Sequence, residues 1–255
     1  MFVPTGYVGS PNALPHDRLY ALLVRARAGR HPLPASPAPR LVRATLDRAE
    51  HVLRDEGPAA ALDLLLYSLP AQALQRIADA LEDLAGPAAP PDDGARVMSA
   101  DELHACAEGG IQLGAHTVGH VVLTRESSTR VRRELGRPRE DLEAIAGAPC
   151  RSFAWCNGRW SPPLLVALRD AGYSVAVTTC DRPNIAGASV EPLLLGRKVI
   201  HEGHLRDPLG RYSPSLAAAH LHDLFGAFGL TRPVDGQDIG AARASGEEPR
   251  WQRSA

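Results

Sequence analysis

The chain has 255 residues, 44% of them hydrophobic, and its 28 basic against 29 acidic side chains give a formal charge of -1. That size suits one sizeable core, in the range of one-domain α/β barrels, and the interspersed charge leaves no electrostatic footprint for nucleic acid or an anionic membrane, so neither is expected as a partner. No run approaches the roughly 20 apolar residues of a membrane-spanning helix, so no membrane span is expected. Residues 1–10 lack the basic region, apolar core and cleavage site of a secretory signal, which makes the cytoplasm the expected location. The four cysteines, Cys106, Cys150, Cys156 and Cys180, include no Cys-x-x-Cys pair and are too sparse for a disulfide framework; they read as reduced and mostly structural. Lys198 is the only lysine, and the arginine, alanine, glycine and proline usage points to a high-GC, bacterial genome.

In chain order, the apolar run at residues 2–9, Phe-Val-Pro-Thr-Gly-Tyr-Val-Gly, is closed by glycines and reads as a buried strand leading into a loop. Residues 19–28 are apolar and arginine-rich at helical spacing. After a proline-rich break at 31–39, the stretch 41–84 continues as amphipathic helices to a second break at 86–94. Ser99-Ala-Asp-Glu102 is a capping box that predicts a helix start, and that helix ends at Gly109-Gly110. Residues 111–115 then read as a strand, 127–145 as a helix kinked at Pro138, and 152–154 as the next strand. Ser161-Pro162 places a cap and a first-turn proline at the start of a helix that ends at Gly172, before strands at 173–179 and 193–200. Strands alternating with helices imply parallel pairing, hence a doubly wound sheet or a barrel whose chemistry sits at the strand C-terminal ends. A last helix is predicted at 214–228, and the polar, aperiodic segment 231–255 is expected to be disordered.

The strongest local signal is Gly-Ala-His-Thr-Val-Gly-His at 114–120, just after the strand predicted at 111–115. If the chain turns helically there, His116 and His120 share one face, a spacing that lets both imidazoles reach one zinc-like ion at about 2.0–2.1 Å. Two surface or core histidines are the alternative, since His-x-x-x-His often arises by chance. The strand-end position, where β/α folds build their sites, is what favours a metal.

These residues resemble a family. Ser99 to Leu103, the run Ile111-Gln112-Leu113-Gly114-Ala115-His116-Thr117-Val118-Gly119-His120, and Leu123-Thr124 are similar to the second motif region of the polysaccharide deacetylases, carbohydrate esterase family 4. Ser152-Phe153-Ala154-Trp155-Cys156-Asn157-Gly158, then Leu168 to Tyr173 and Ala176 to Thr179, look like the third motif and the strand after it. Residues 2–9 resemble the family's second strand, and Arg197 to His201 its late Arg-x-x-x-His segment. The resemblance covers residues 1–27 and 98–204 of a domain spanning 1–230, and leaves 28–97 as a helical insertion.

The resemblance implies a distorted β/α barrel and a divalent metal, zinc, held by an aspartate and two histidines, here His116 and His120. It implies removal of N-acetyl groups from a glycan substrate through a tetrahedral oxyanion, which calls for a base, an oxyanion donor and an acid. By motif position the backbone N–H of Asn157 matches the oxyanion donor, and His201 matches the histidine that protonates the amine; a plain loop histidine is the alternative for His201 or its neighbour His204. Trp155 offers a sugar-stacking face or fills core. Cys156 stands where the family usually has proline, and Ala154 where many relatives carry arginine; Cys156 is a soft ligand or an inert buried thiol.

The family's first strand, ending Thr-Phe-Asp-Asp-Gly, has no counterpart in this sequence. With it go the aspartate ligand and the catalytic base, so two histidines fall short of a catalytic zinc site and weak or absent activity is expected of the chain as given. One explanation is a longer reading frame in which Met1 is internal. Another class is a non-catalytic carbohydrate-binding relative that retains the groove, and a third is an unrelated two-histidine metalloprotein recruiting Asp181 or Glu202.

Overall fold

The computed structural model of the chain describes residues 1–34, 40–87, 96–181, 184, 191–198 and 205–222. Four short strands, β1 (Phe2–Val3), β2 (Gly114–Ala115), β3 (Ser152–Ala154) and β4 (Val175–Val177), form a parallel sheet in the order β1-β2-β3-β4. Phe2 pairs with Gly114, Ala115 with Phe153, and Phe153 with Ala176. The α/β class with parallel pairing is as expected, and the layout is consistent with a deacetylase-type distorted barrel.

Strand β3 occupies the predicted span. The strand predicted at 111–115 contracts to its last two residues, because Ile111 is 46% exposed and the sheet closes tightly only at Gly114. A Cβ on Gly114 would meet the Phe2 ring at 2.7 Å and Ser152 Oγ at 2.5 Å, so only glycine lets β1 and β3 flank it. The strand predicted at 193–200 is instead a 3-10 turn, Pro192–Leu194, followed by a single parallel bridge from Val177 to Leu195; Pro192 favours that turn over a ladder. Residues 199–200 of that span lie outside the described residues.

The helices that cover the sheet start where the sequence places them. Helix α5 (Ala100–Glu108) opens with the capping box: Glu102 N–H donates to Ser99 Oγ at 3.2 Å and Ser99 N–H donates to the Glu102 carboxylate at 2.7 Å. Helix α6 (Ser128–Ala146) runs through a buried Pro138, and α7 (Pro162–Asp170) begins with its proline after Ser161. Between sheet and helices lies one apolar core that includes Val3, Ala115, Leu135, Leu142, Phe153 and Leu168. Phe153 meets Trp155 edge to face with centroids 5.4 Å apart and Tyr173 at 5.3 Å. The Tyr173 hydroxyl donates to the Leu135 carbonyl at 2.8 Å.

A second apolar core belongs to α1 (Pro15–Gly29), α2 (Arg40–Asp55), α3 (Pro58–Ser68) and α4 (Ala71–Ala85). The stretch read as a helical insertion is helical over 40–85, and its core also takes in α1, whose Leu19, Leu22, Leu23 and Ala26 recur at helical spacing on one buried face. Two hydrogen bonds tie this block to the sheet unit. Arg125 Nε donates to the Tyr67 carbonyl at 2.5 Å, and the Glu126 carboxylate accepts from Ala71 N–H at 2.7 Å. Helix α4 follows Pro70, which has no side-chain acceptor to give, so Glu126 satisfies an orphan amide of its first turn from across the interface.

A final helix spans Pro214–Leu221; the rest of the predicted 214–228 helix beyond residue 222, and the whole segment 231–255, lie outside the described residues. Among the described residues no helix is long and apolar enough to cross a membrane.

Phe153 is fully buried at the centre of the sheet core. Phe153→Ala is therefore expected to lower unfolding stability by about 3–5 kcal/mol, read as a drop in denaturation midpoint with unchanged slope.

Candidate metal centre

Residues 116–121 follow β2 as a tight loop, not a helical turn. Thr117 and His120 both adopt left-handed backbone conformations, with φ of 65° and 51°. Such strain in non-glycine residues needs compensation from the surroundings. The buried Glu134 of α6 supplies it, its Oε2 accepting from both Val118 N–H and Gly119 N–H at 2.8 Å. Thr117, fully buried, accepts from Val121 N–H at 3.2 Å through its hydroxyl. On the other side β1 zips onto the loop: His116 N–H donates to Val3 O, Thr5 N–H to Thr117 O and Gly6 N–H to Val118 O, at 3.1, 3.2 and 2.9 Å. A Cβ at Gly6 would stand 2.7 Å from Val118 O, so glycine is required for that approach.

The loop brings the two predicted histidines together without a helix. Their rings meet edge to face with centroids 4.6 Å apart. His116 Nδ1 lies 2.8 Å from the Ala154 carbonyl; a carbonyl only accepts, so Nδ1 carries the proton and Nε2 keeps its lone pair. Burial, together with the charge of neighbouring His116 and His16, pushes His120 down to about 3. Burial also lowers His116 and outweighs the Ala154 contact, which raises it. Both imidazoles are thus neutral near pH 7, the state a metal requires.

One donor atom from each of His116, His120 and Cys156 lies within 4.8 Å of the others. The thiol, however, sits 3.7 Å from Nδ1 of His116, the side already committed to Ala154, and 3.6 Å from Thr117 Oγ1. Burial pushes it up to about 12. In this geometry Cys156 is a buried thiol on the Nδ1 side of the His116 ring, and Nε2 is the open donor of that ring.

The remaining sequence-predicted residues separate. Asn157 follows β3 in a left-handed conformation, φ 53°, inside the 3-10 turn Cys156–Gly158. Trp155 is 2% exposed and its Nε1 donates to the Leu193 carbonyl at 2.8 Å; it fills core and presents no face to a sugar. Asp181 pairs with Lys198 at 3.3 Å and does not join the histidine group, which removes it as an extra ligand. His201, Glu202 and His204 lie outside the described residues.

Two residues at the site were not anticipated. Glu134 is one, although its position on the buried face of α6 was open to reading. The other is His16, from the first turn of α1, whose ring lies 4.4 Å from that of His120 and which no local motif marks. Burial lowers His16 as well, against the nearby Asp17 carboxylate, which raises it. The sequence also holds an Asp-Asp-Gly at 92–94, without the preceding Thr-Phe, and it too lies outside the described residues.

The profile of the polysaccharide deacetylase family matches residues 68–176, which shows the family resemblance carried by the motifs. The match begins at the end of α3, takes in α4 and ends within β4. No curated protein matches the chain. Among solved structures it is similar to BA0330 of Bacillus anthracis, at 24% identity over 41% of this chain and 33% of that one, TM-score 0.36. It is also similar to BC0361, a polysaccharide deacetylase of Bacillus cereus, at 22% over 49% and 42%, TM-score 0.35. A third is the Streptococcus pyogenes deacetylase PplD in complex with acetate, at 15% over 71% and 79%, TM-score 0.38. The chain spans less than half of the first two, and at these TM-scores the likeness carries no argument about the site.

Two outcomes follow from the loop's construction. Removing the acceptor in Glu134→Ala leaves two loop amides unpaired and is expected to cost about 2–4 kcal/mol in urea unfolding, with Glu134→Gln, which keeps one acceptor oxygen, costing less. The second concerns pH. His116 and His120 hold folded-state values below the ordinary 6.5, so the unfolded chain takes up protons first and stability rises with pH. In chelator, their contribution should be complete above about pH 6.5 and fade as pH falls toward 3, the folded value for His120. His120→Gln should flatten that dependence; an unchanged slope would contradict it.

Proposed function

We propose, from the match of residues 68–176 to the polysaccharide deacetylase family, that the chain is a metal-dependent hydrolase removing N-acetyl groups from a carbohydrate. The observation that carries this reading is the pair of half-buried, neutral imidazoles on a strained loop at the end of a parallel strand, one of them with Nε2 freed by its Nδ1–H bond to Ala154. His116 and His120 would hold the ion. Imidazole nitrogens suit zinc better than magnesium or calcium, which prefer oxygen. Zinc bound there supplies a Lewis acid for the attacking water and the acetamide carbonyl.

The chain's own residues take the other roles. The Asn157 N–H, on the left-handed turn after β3, is the proposed oxyanion donor, and His201 the acid that protonates the leaving amine. The buried side chains of Thr117 and Cys156 exclude water from behind His116, whose tautomer the Ala154 carbonyl fixes. Two histidines are one short of the three protein ligands usual at a catalytic zinc. We assign the carboxylate ligand and the base to residues outside those described, either Asp92 and Asp93 or a segment carried by a longer form of the protein, with weak or no activity of this chain alone in the latter case.

Zinc content and acetate release from N-acetylated oligosaccharides test the reading on this chain, on Asp92→Asn with Asp93→Asn, and on a form extended upstream to any further Asp-Asp-Gly. His116→Ala and His120→Ala should each abolish stoichiometric zinc. Supplying the missing carboxylates should raise acetate release at least about 100-fold. Zinc-free, inactive protein in every form that still binds the oligosaccharide would identify a non-catalytic carbohydrate-binding relative instead.

A further inference from the structure

A cavity of about 280 Å³ opens beside His120 and His16, between the helical block and the sheet unit. It is lined by His120, by the polar side chains of His16, Tyr7 and Arg130, and by Gln72 and Leu74 of α4. The buried Nδ1 of His16 has no hydrogen-bond partner among the described residues, a vacancy that buried polar groups seldom tolerate.

Two of its lining residues, Arg18 and Ala71, make the contacts that hold the surrounding elements together. Arg18 of α1 pairs with Asp79 at 2.9 Å and with Glu82 of α4. From the sheet unit, Arg125 holds the Tyr67 carbonyl and Glu126 holds Ala71 N–H. A polymer threaded through its interior residues needs a groove open on both sides of the reacting sugar. Here the space, about 280 Å³, falls at the low end of the roughly 300–1,000 Å³ of small-ligand pockets, room for one sugar ring with its acetamido group.

We infer that this cavity is the sugar subsite and that it takes a single N-acetylated residue, so that the substrate is a chain end or a small glycoside and not the interior of a long polymer. The inference rests on the deacetylase reading above. It makes the helical block a specificity wall, with Gln72 and Leu74 limiting the size of what reaches His120 and the polar side at His16, Tyr7 and Arg130 facing the sugar hydroxyls.

The test uses the full chain, in whichever form releases acetate, with a pentamer of N-acetylglucosamine as probe and mass spectrometry to locate the deacetylated residue. Deacetylation confined to a terminal residue is expected, with kcat/KM on the methyl glycoside falling at least 10-fold in Gln72→Trp or Leu74→Phe. Zinc content and melting temperature should be unchanged in Gln72→Trp, whose side chain is exposed. Internal residues deacetylated at equal rates, or an unaffected Gln72→Trp, would overturn the subsite while leaving the deacetylase reading intact. If no form releases acetate, calorimetric binding of the methyl glycosides of N-acetylglucosamine and N-acetylgalactosamine decides: binding lost in Gln72→Trp supports the subsite without the chemistry, and no binding of either sugar overturns it.

Discussion

The site depends on one buried carboxylate. Glu134 reaches from α6 under the loop at 116–121 and accepts two consecutive backbone N–H groups, which is what makes two left-handed non-glycine residues tolerable in so short a segment. Without that acceptor the loop would have to find other partners for the Val118 and Gly119 N–H groups. The histidines could then no longer be held ring against ring.

Around this contact the fold is built in two parts with separate interiors. The sheet unit buries Phe153, Trp155 and Tyr173 as an aromatic cluster, and the four-helix block buries leucine and alanine at helical spacing. Each core accounts for its own secondary structure. What the second adds to the first is a wall: α1 delivers His16 to His120, and α4 lines the same cavity.

The parts of this arrangement that were legible in the sequence are those decided within a few residues. The capping box at Ser99 and Glu102, the proline after Ser161, the strand at 152–154 and the histidine pair all announce themselves locally. The expectation of a helical turn at 116–120 failed because nothing in those residues signals that Glu134, on a separate helix, will capture the amides a helix would have used. His16 was hidden for a related reason, since it meets His120 only after the helical block has docked. The strand read at 193–200 is apolar enough, yet Pro192 and the single bridge at Leu195 leave a turn in its place.

Arg130 lies within ion-pair distance of two carboxylates at once, 3.5 Å from Glu126 and 3.4 Å from Glu134. Glu126 holds the roof by its grip on α4, and Glu134 holds the floor by its grip on the loop. One guanidinium, four residues from each, from Glu126 just before α6 and from Glu134 within it, is therefore a shared keystone. Roof and floor are energetically coupled through it, and the effects of altering the two carboxylates should not add. Evolution at either position is correspondingly constrained by the other, so that the wall and the histidine loop are expected to drift together and not one at a time.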